Sequence, residues 1–285
     1  MKVAHLVAFS QLKNFQFWLL AIGSGLIAIQ LTLTWKAENA SLLGGSILFW
    51  TAISSLIWDK RHSLNLESDI FSSFFGLTLI GVVLLKSASL TSFGVFLYVS
   101  PLMLSFSLAL LASGFKGLKQ YKGELLALFF LGAPKLLASW LPNISPLTAK
   151  FTTIFLWYTG AEVVRSGVII SLPTGSIEVY SGCSGIEQIF QMLGLALLFL
   201  LMFPQSKKQK IIVSTVAVIL GFIVNAVRVA LMAILVAKNQ EEAFKYWHDG
   251  DGSLIFSMIA VLLFGLFCWF LIGQNESENH NGKEL

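Results

Sequence analysis

The chain is 285 residues long, 56% hydrophobic and only 12% charged, with a mean hydropathy of +0.78. A soluble domain carries about 25% charged residues, and a lipid interior admits only backbones that satisfy themselves, so this composition excludes a soluble enzyme and predicts an all-α polytopic membrane protein. The net charge of +4 is no nucleic-acid signal, because Lys and Arg fall mostly in short loops between apolar runs.

Lys2 and Lys13 precede the first apolar run, and no small-residue cleavage pattern follows, which reads as an uncleaved first span. Runs of spanning length lie at 15–35, 42–58, 70–87, 93–113 and 124–141, and again at 184–203, 211–236 and 253–272, giving eight predicted spans. Basic clusters sit at Lys60–Arg61, at Lys116, Lys119 and Lys122, and at Lys207, Lys208 and Lys210. All three occupy loops of one parity, which predicts the cytoplasmic side for them. One more apolar stretch, 147–170, would break that parity if it spanned. It also carries Lys150, Glu162 and Arg165, each costly in lipid unless paired or hydrated. With Trp157 and Tyr158 beside them, it is expected to lie at the outer surface or to re-enter there. The polar tail 273–285 is predicted to be cytoplasmic and disordered. The organisation expected is a single integral membrane domain, with N-terminal helices to residue 141 and a chemistry-bearing half over 147–272.

Two cysteines give no disulfide framework. Cys268, in LLFGLFCWFLI, reads as a packing residue. Cys183, in VYSGCSGIEQIF, is different: it stands among Gly182, Ser184 and Gly185 where a polar loop becomes a long apolar run. A helix beginning there would offer free N–H groups and a positive dipole end, and such surroundings favour thiolate. The small neighbours suggest room for a substrate backbone. Arg228 lies in the outer half of the predicted seventh span, with Asn225 three residues earlier on the same face, and an arginine within an apolar helix is a functional candidate. His248 stands in the last outer loop, four residues before Gly252, and is suited to proton transfer near neutral pH. Asp249 and Asp251 beside it make only a weak metal signal, so neither a metal nor a cofactor is expected. Each residue alone also fits a bland role: an inert thiol, a snorkelling arginine, a solvated loop histidine. Together they place a thiol, a guanidinium and an imidazole at the outer ends of three consecutive helices, a set suited to acyl transfer through a thioester.

In CSGI at 183–186, NAVRV at 225–229 and HDGDG at 248–252, in that order, the sequence resembles the exosortase/archaeosortase family of membrane transpeptidases, over about residues 147–272 and most closely its cyanobacterial branch. The departure is Glu187-Gln188, where many members carry a basic or small polar residue. The resemblance implies eight spans in a bacterial inner membrane, an extracytoplasmic active site, and Cys183, Arg228 and His248 as the catalytic set, with Asn225 in support. Its substrates would be exported proteins bearing a short Pro-containing C-terminal motif, a membrane helix and a basic tail, and the acyl acceptor is left unidentified. A transporter or channel using Arg228 as a counter-charge, or a non-catalytic assembly factor, are the competing readings, and dependence on the Cys183 thiol separates them.

Overall fold

The computed structural model describes residues 15–89, 94–137, 140–248, 250 and 252–281. The chain divides into two compact units, Met1–Leu136 and Leu137–Leu285.

The first unit consists of α1 (Phe15–Lys36), α2 (Ala40–Asp59), α3 (Ile70–Ser89), α4 (Gly94–Gly117), a 3-10 turn (Leu118–Tyr121) and α5 (Lys122–Leu136). These helices expose large apolar side chains such as Phe71, Phe74 and Leu85, as helices facing hydrocarbon do. Close packing comes from small residues: a Cβ on Gly76 would stand 2.9 Å from the Ser107 carbonyl oxygen, and one on Gly132 2.6 Å from that of Tyr98. Polar groups within the helices are paired. Gln30 donates to Thr34 and Ser46 and accepts from the Trp50 indole. Gly114, at φ +62°, breaks the line of α4.

The second unit begins with α6 (Ser145–Tyr158), continues through three short strands, β1 (Val164–Ser166), β2 (Ile169–Leu172) and β3 (Gly175–Glu178), and a 3-10 turn (Ser181–Cys183). Then come α7 (Ile186–Met202), α8 (Lys207–Ala237), the short α9 (Glu241–His248) and α10 (Gly252–Asn281). Helix α8 is the axis of this unit. Its lower half packs on α7, where a Cβ on Gly221 would lie 3.0 Å from the Ile189 Cα, and with α10 the two helices enclose Met192, Ala217, Phe256, Phe264 and Cys268.

Seven stretches among the described residues are long and apolar enough to cross a membrane. The count differs from eight because Gly94–Pro134 is one continuous apolar stretch holding both α4 and most of α5. The 15 residues of α5 rise only about 22 Å, short of a hydrocarbon core of about 30 Å. The protein is thus an all-α polytopic membrane protein, with one departure at 147–178. This segment is α6 followed by an antiparallel sheet of order β1-β2-β3, in register Arg165↔Ile170 and Ile170↔Ile177. The reason is local: the β-branched runs Val163–Val164 and Val168–Ile170 favour a pleated surface, and Gly167, at φ +63°, turns β1 into β2. Ile170 and Val179 point into a core with Ala149, Leu156 and Val229, while Glu162 and Arg165 lie exposed and the Arg165 guanidinium donates to the Gly167 carbonyl. Helix α10 runs on beyond Ile272 to Asn281, into the tail for which composition predicts no order.

Candidate active site

The sheet delivers the chain to Tyr180, whose carbonyl accepts from the Cys183 N–H at 2.9 Å and so winds the turn that carries the thiol. Ser184 closes the same turn with its hydroxyl on the Ser181 carbonyl, 2.7 Å. Cys183 is half-buried and Ser184 buried. Helix α7 begins only at Ile186, after Gly185 in the left-handed region at φ +90°, so the thiol sits just ahead of the helix start rather than on it.

Two anchors hold this turn. From α6, Thr148 donates to the Ser184 carbonyl at 2.7 Å, and one helical turn on Thr152 donates to the Ala226 carbonyl of α8 at 3.1 Å. From α8, Asn225 donates its amide N–H to the Cys183 carbonyl at 3.0 Å. Asn225 is almost fully buried, and its approach depends on Gly185, where a Cβ would lie 2.7 Å from the Asn225 amide nitrogen. Gly182 is likewise occupied, since a Cβ there would meet the Tyr180 ring at 2.6 Å. The missing side chains at these two glycines therefore admit the protein's own Asn225 and Tyr180, while Gly182 itself stays exposed.

His248 is the last residue of α9, its ring stacked on Phe244 one turn earlier with centroids 5.1 Å apart and planes at 11°. The chain then reverses through Gly250, whose N–H donates to the Lys245 carbonyl at 3.1 Å. Gly252 lets α10 start against α9, where a Cβ would stand 2.8 Å from the rings of Trp247 and Tyr246. Arg228 reaches across from α8 and donates from Nη2 to the His248 carbonyl at 2.7 Å. Its Nε is buried and has no hydrogen-bond partner among the described residues.

The result is a 3.5 Å approach between Cys183 Sγ and His248 Nε2. The sequence-predicted set is brought together with one difference. Arg228 contacts the backbone of the histidine, and its hydrogen bond goes to that carbonyl rather than to the thiol. Asn225 and Arg228, on one face of α8, each grip one of the two segments that bear the thiol and the imidazole. A thiol and an imidazole at this separation exchange a proton, and a cation beside them stabilises negative charge. Among the described residues no group of His, Cys, Asp and Glu is able to hold a metal; Asp249 and Asp251 lie outside those residues.

Thr148, Thr152, Tyr180 and Phe244 belong to the site without having been singled out from sequence. Thr148 and Thr152 had a signal: with Ser145 they form a polar stripe at helical spacing along one face of a largely apolar helix.

Gly185→Ala is expected to lower thermal stability by about 1–2 kcal/mol for the left-handed backbone alone, with a further loss as Asn225 is displaced. Thermal unfolding in detergent checks this against Gly265→Ala, where nothing lies within 4 Å of the added methyl and no loss is expected. Equal behaviour of the two variants would contradict the packing described.

A family model described as transmembrane exosortase matches residues 35–265. The match runs from the end of α1 into α10, and so takes in the N-terminal helices as well as the motif-bearing half. No curated protein and no solved structure matches the chain.

Proposed function

The chain belongs to the transmembrane exosortase family, and from that premise we propose that it is a membrane-embedded cysteine transpeptidase with Cys183 as nucleophile, His248 as acid and base, and Arg228 as the stabilising cation. The observation that carries this reading is the 3.5 Å Sγ–Nε2 approach, fixed from α8 on both sides by Asn225 and Arg228.

The reaction proceeds in two stages. His248 Nε2 takes the Cys183 proton as Sγ attacks the scissile carbonyl, and the negative charge moves to the carbonyl oxygen. Arg228, anchored by Nη2, has Nε still to offer to that oxygen. When the C–N bond breaks, His248 returns the proton to the departing amine, leaving a thioester on Cys183. An acceptor nucleophile then gives up its proton to His248, attacks the thioester and restores the thiol. The substrates are exported proteins with a C-terminal Pro-containing motif, a membrane helix and a basic tail, cleaved on the extracytoplasmic side of a bacterial inner membrane. The test is mass spectrometry of a co-expressed substrate of that design: loss of the C-terminal segment is expected with this chain and not without it. An intact substrate in both cases would remove the proposal.

The sidedness is tested separately. In a Cys183→Ala, Cys268→Ala background, single cysteines placed at Ser206 and Asn279 are expected to resist a membrane-impermeant thiol reagent in intact cells, and one at Asn143 to react. Reaction at Ser206 would invert the orientation.

A further inference from the structure

Beside the thiol, a second side chain with a proton to donate reaches the same imidazole nitrogen. Tyr180 Oη stands 3.4 Å from His248 Nε2, against 3.5 Å for Cys183 Sγ. The phenol ring is held over the turn where Gly182 leaves space for it, the backbone carbonyl of Tyr180 winds that turn, and the ring is half exposed at 51%. We propose that Tyr180 is a positioning residue of this site, its hydroxyl binding His248 Nε2 in competition with the Cys183 thiol and so setting how readily the imidazole takes the thiol's proton. The inference rests on the thiol–imidazole pairing described above but not on any particular substrate.

The physical argument is one of a shared lone pair. In the tautomer that acts as base, Nε2 has a single lone pair, whereas two donors lie within reach of it. An O–H is the stronger donor and S–H the weaker, so the phenol favours the neutral imidazole and holds back transfer of the thiol proton. Once the sulfur is acylated it has no proton to offer, and the phenol is the neighbour of Nε2 that the covalent step leaves unchanged. Tyr180 then keeps the ring in place for the acceptor.

Other ionisable groups on the elements that carry the pair and those packed around them are Glu241, Glu242, Lys245 and Tyr246 on α9, Arg228 and the distant Lys207, Lys208 and Lys210 on α8, Glu187 in the first turn of α7, Lys150 on α6, and Glu178 at the end of β3. Asp249 and Asp251 follow His248, outside the described residues. All of them are common to the variants compared, so none accounts for a difference between them.

The experiment uses the full chain in detergent with Cys268→Ala, and measures the rate of Cys183 alkylation by iodoacetamide against pH. Alkylation forms the S–C bond and releases iodide, while the thiol proton passes through Nε2 to solvent. Tyr180→Phe keeps the ring and removes the competing donor, and is expected to move the midpoint of the profile down by about half a pH unit or more. In a His248→Ala background the same substitution is expected to move nothing. Replacing the five tyrosines biosynthetically with 3-fluorotyrosine, which strengthens the phenol donor and keeps the fold, is expected to move the midpoint up. An unmoved midpoint in Tyr180→Phe, an equal shift with and without His248, or no upward shift with fluorotyrosine overturns the proposal. If His248→Ala itself leaves the profile unchanged, the thiol–imidazole pair fails and this inference with it. If His248→Ala moves the profile and Tyr180→Phe does not, Tyr180 alone is removed and the transpeptidase reading stands.

Discussion

Cys183→Ala is expected to abolish substrate cleavage while leaving protein abundance close to that of the wild type, and Cys268→Ala to retain most activity. The difference follows from surroundings. Cys183 is half-buried in a 3-10 turn 3.5 Å from an imidazole nitrogen, and the turn is held by its backbone and by Thr148 and Asn225, none of which bonds the thiol itself. Removing one sulfur therefore costs the fold little and the covalent route everything. Cys268 is a buried packing residue among Phe264, Phe256 and Met192, and its loss leaves a small void worth about 1 kcal/mol per methylene-sized group. Single-turnover cleavage of a purified substrate, with abundance followed by immunoblot, separates the two. Comparable loss of activity in both variants would mean that the Cys183 thiol is not the nucleophile, and absence of cleavage by the wild type together with a cellular function that survives Cys183→Ser would point to the transporter or assembly reading.

Arg228→Lys is expected to slow the same single turnover at least about a hundredfold, the usual effect of losing a well-placed oxyanion donor. The guanidinium already holds the His248 carbonyl through Nη2 and keeps a buried Nε for another acceptor. A lysine ammonium concentrates its donors on one nitrogen at the end of a flexible chain, and cannot span the carbonyl and a developing oxyanion together. Arg228→Ala should be worse, because the end of α9 then loses its tie to α8 along with the charge. Folding is checked by thermal unfolding and binding by co-purification of an uncleaved substrate. A lysine variant within a few-fold of wild type would reduce Arg228 to charge placement.

The spans were legible from the sequence because the length of an apolar run is a local property and lipid imposes it directly. The boundaries of α1, α2, α3 and α8 fall within a few residues of the apolar runs. The sheet at 164–178 was not legible as a sheet, because Val and Ile enrichment serves a strand and a membrane segment equally until the Gly167 and Pro173-Thr174 turns are weighed. The motifs at Cys183, Arg228 and His248 could be read as a set, since helix ends bring them to one side. What the set does at close range was not readable. Arg228 takes a backbone carbonyl rather than the thiol, and Gly185 and Gly182 admit Asn225 and the Tyr180 ring. The Arg228 and Asn225 contacts join residues about 20 and 40 positions apart in the chain, which no local pattern encodes.

The long helix α8 also has a metric consequence. Its first residue is Lys207, capped by Ser206 through a reciprocal bond with Gln209, and Arg228 lies 21 residues further along. At 1.5 Å per residue that is roughly 31 Å, close to the thickness of a bilayer's hydrocarbon layer. In the orientation proposed above, the lysines and the guanidinium form the two ends of a gauge about as long as the oil is thick. Because Cys183 and His248 are both tied to the upper end of that gauge, their height is referred to the lysine boundary rather than to the nearer lipid surface. A membrane a few ångströms thicker would submerge all three side chains together, and a thinner one would lift them together into water, with their mutual distances preserved.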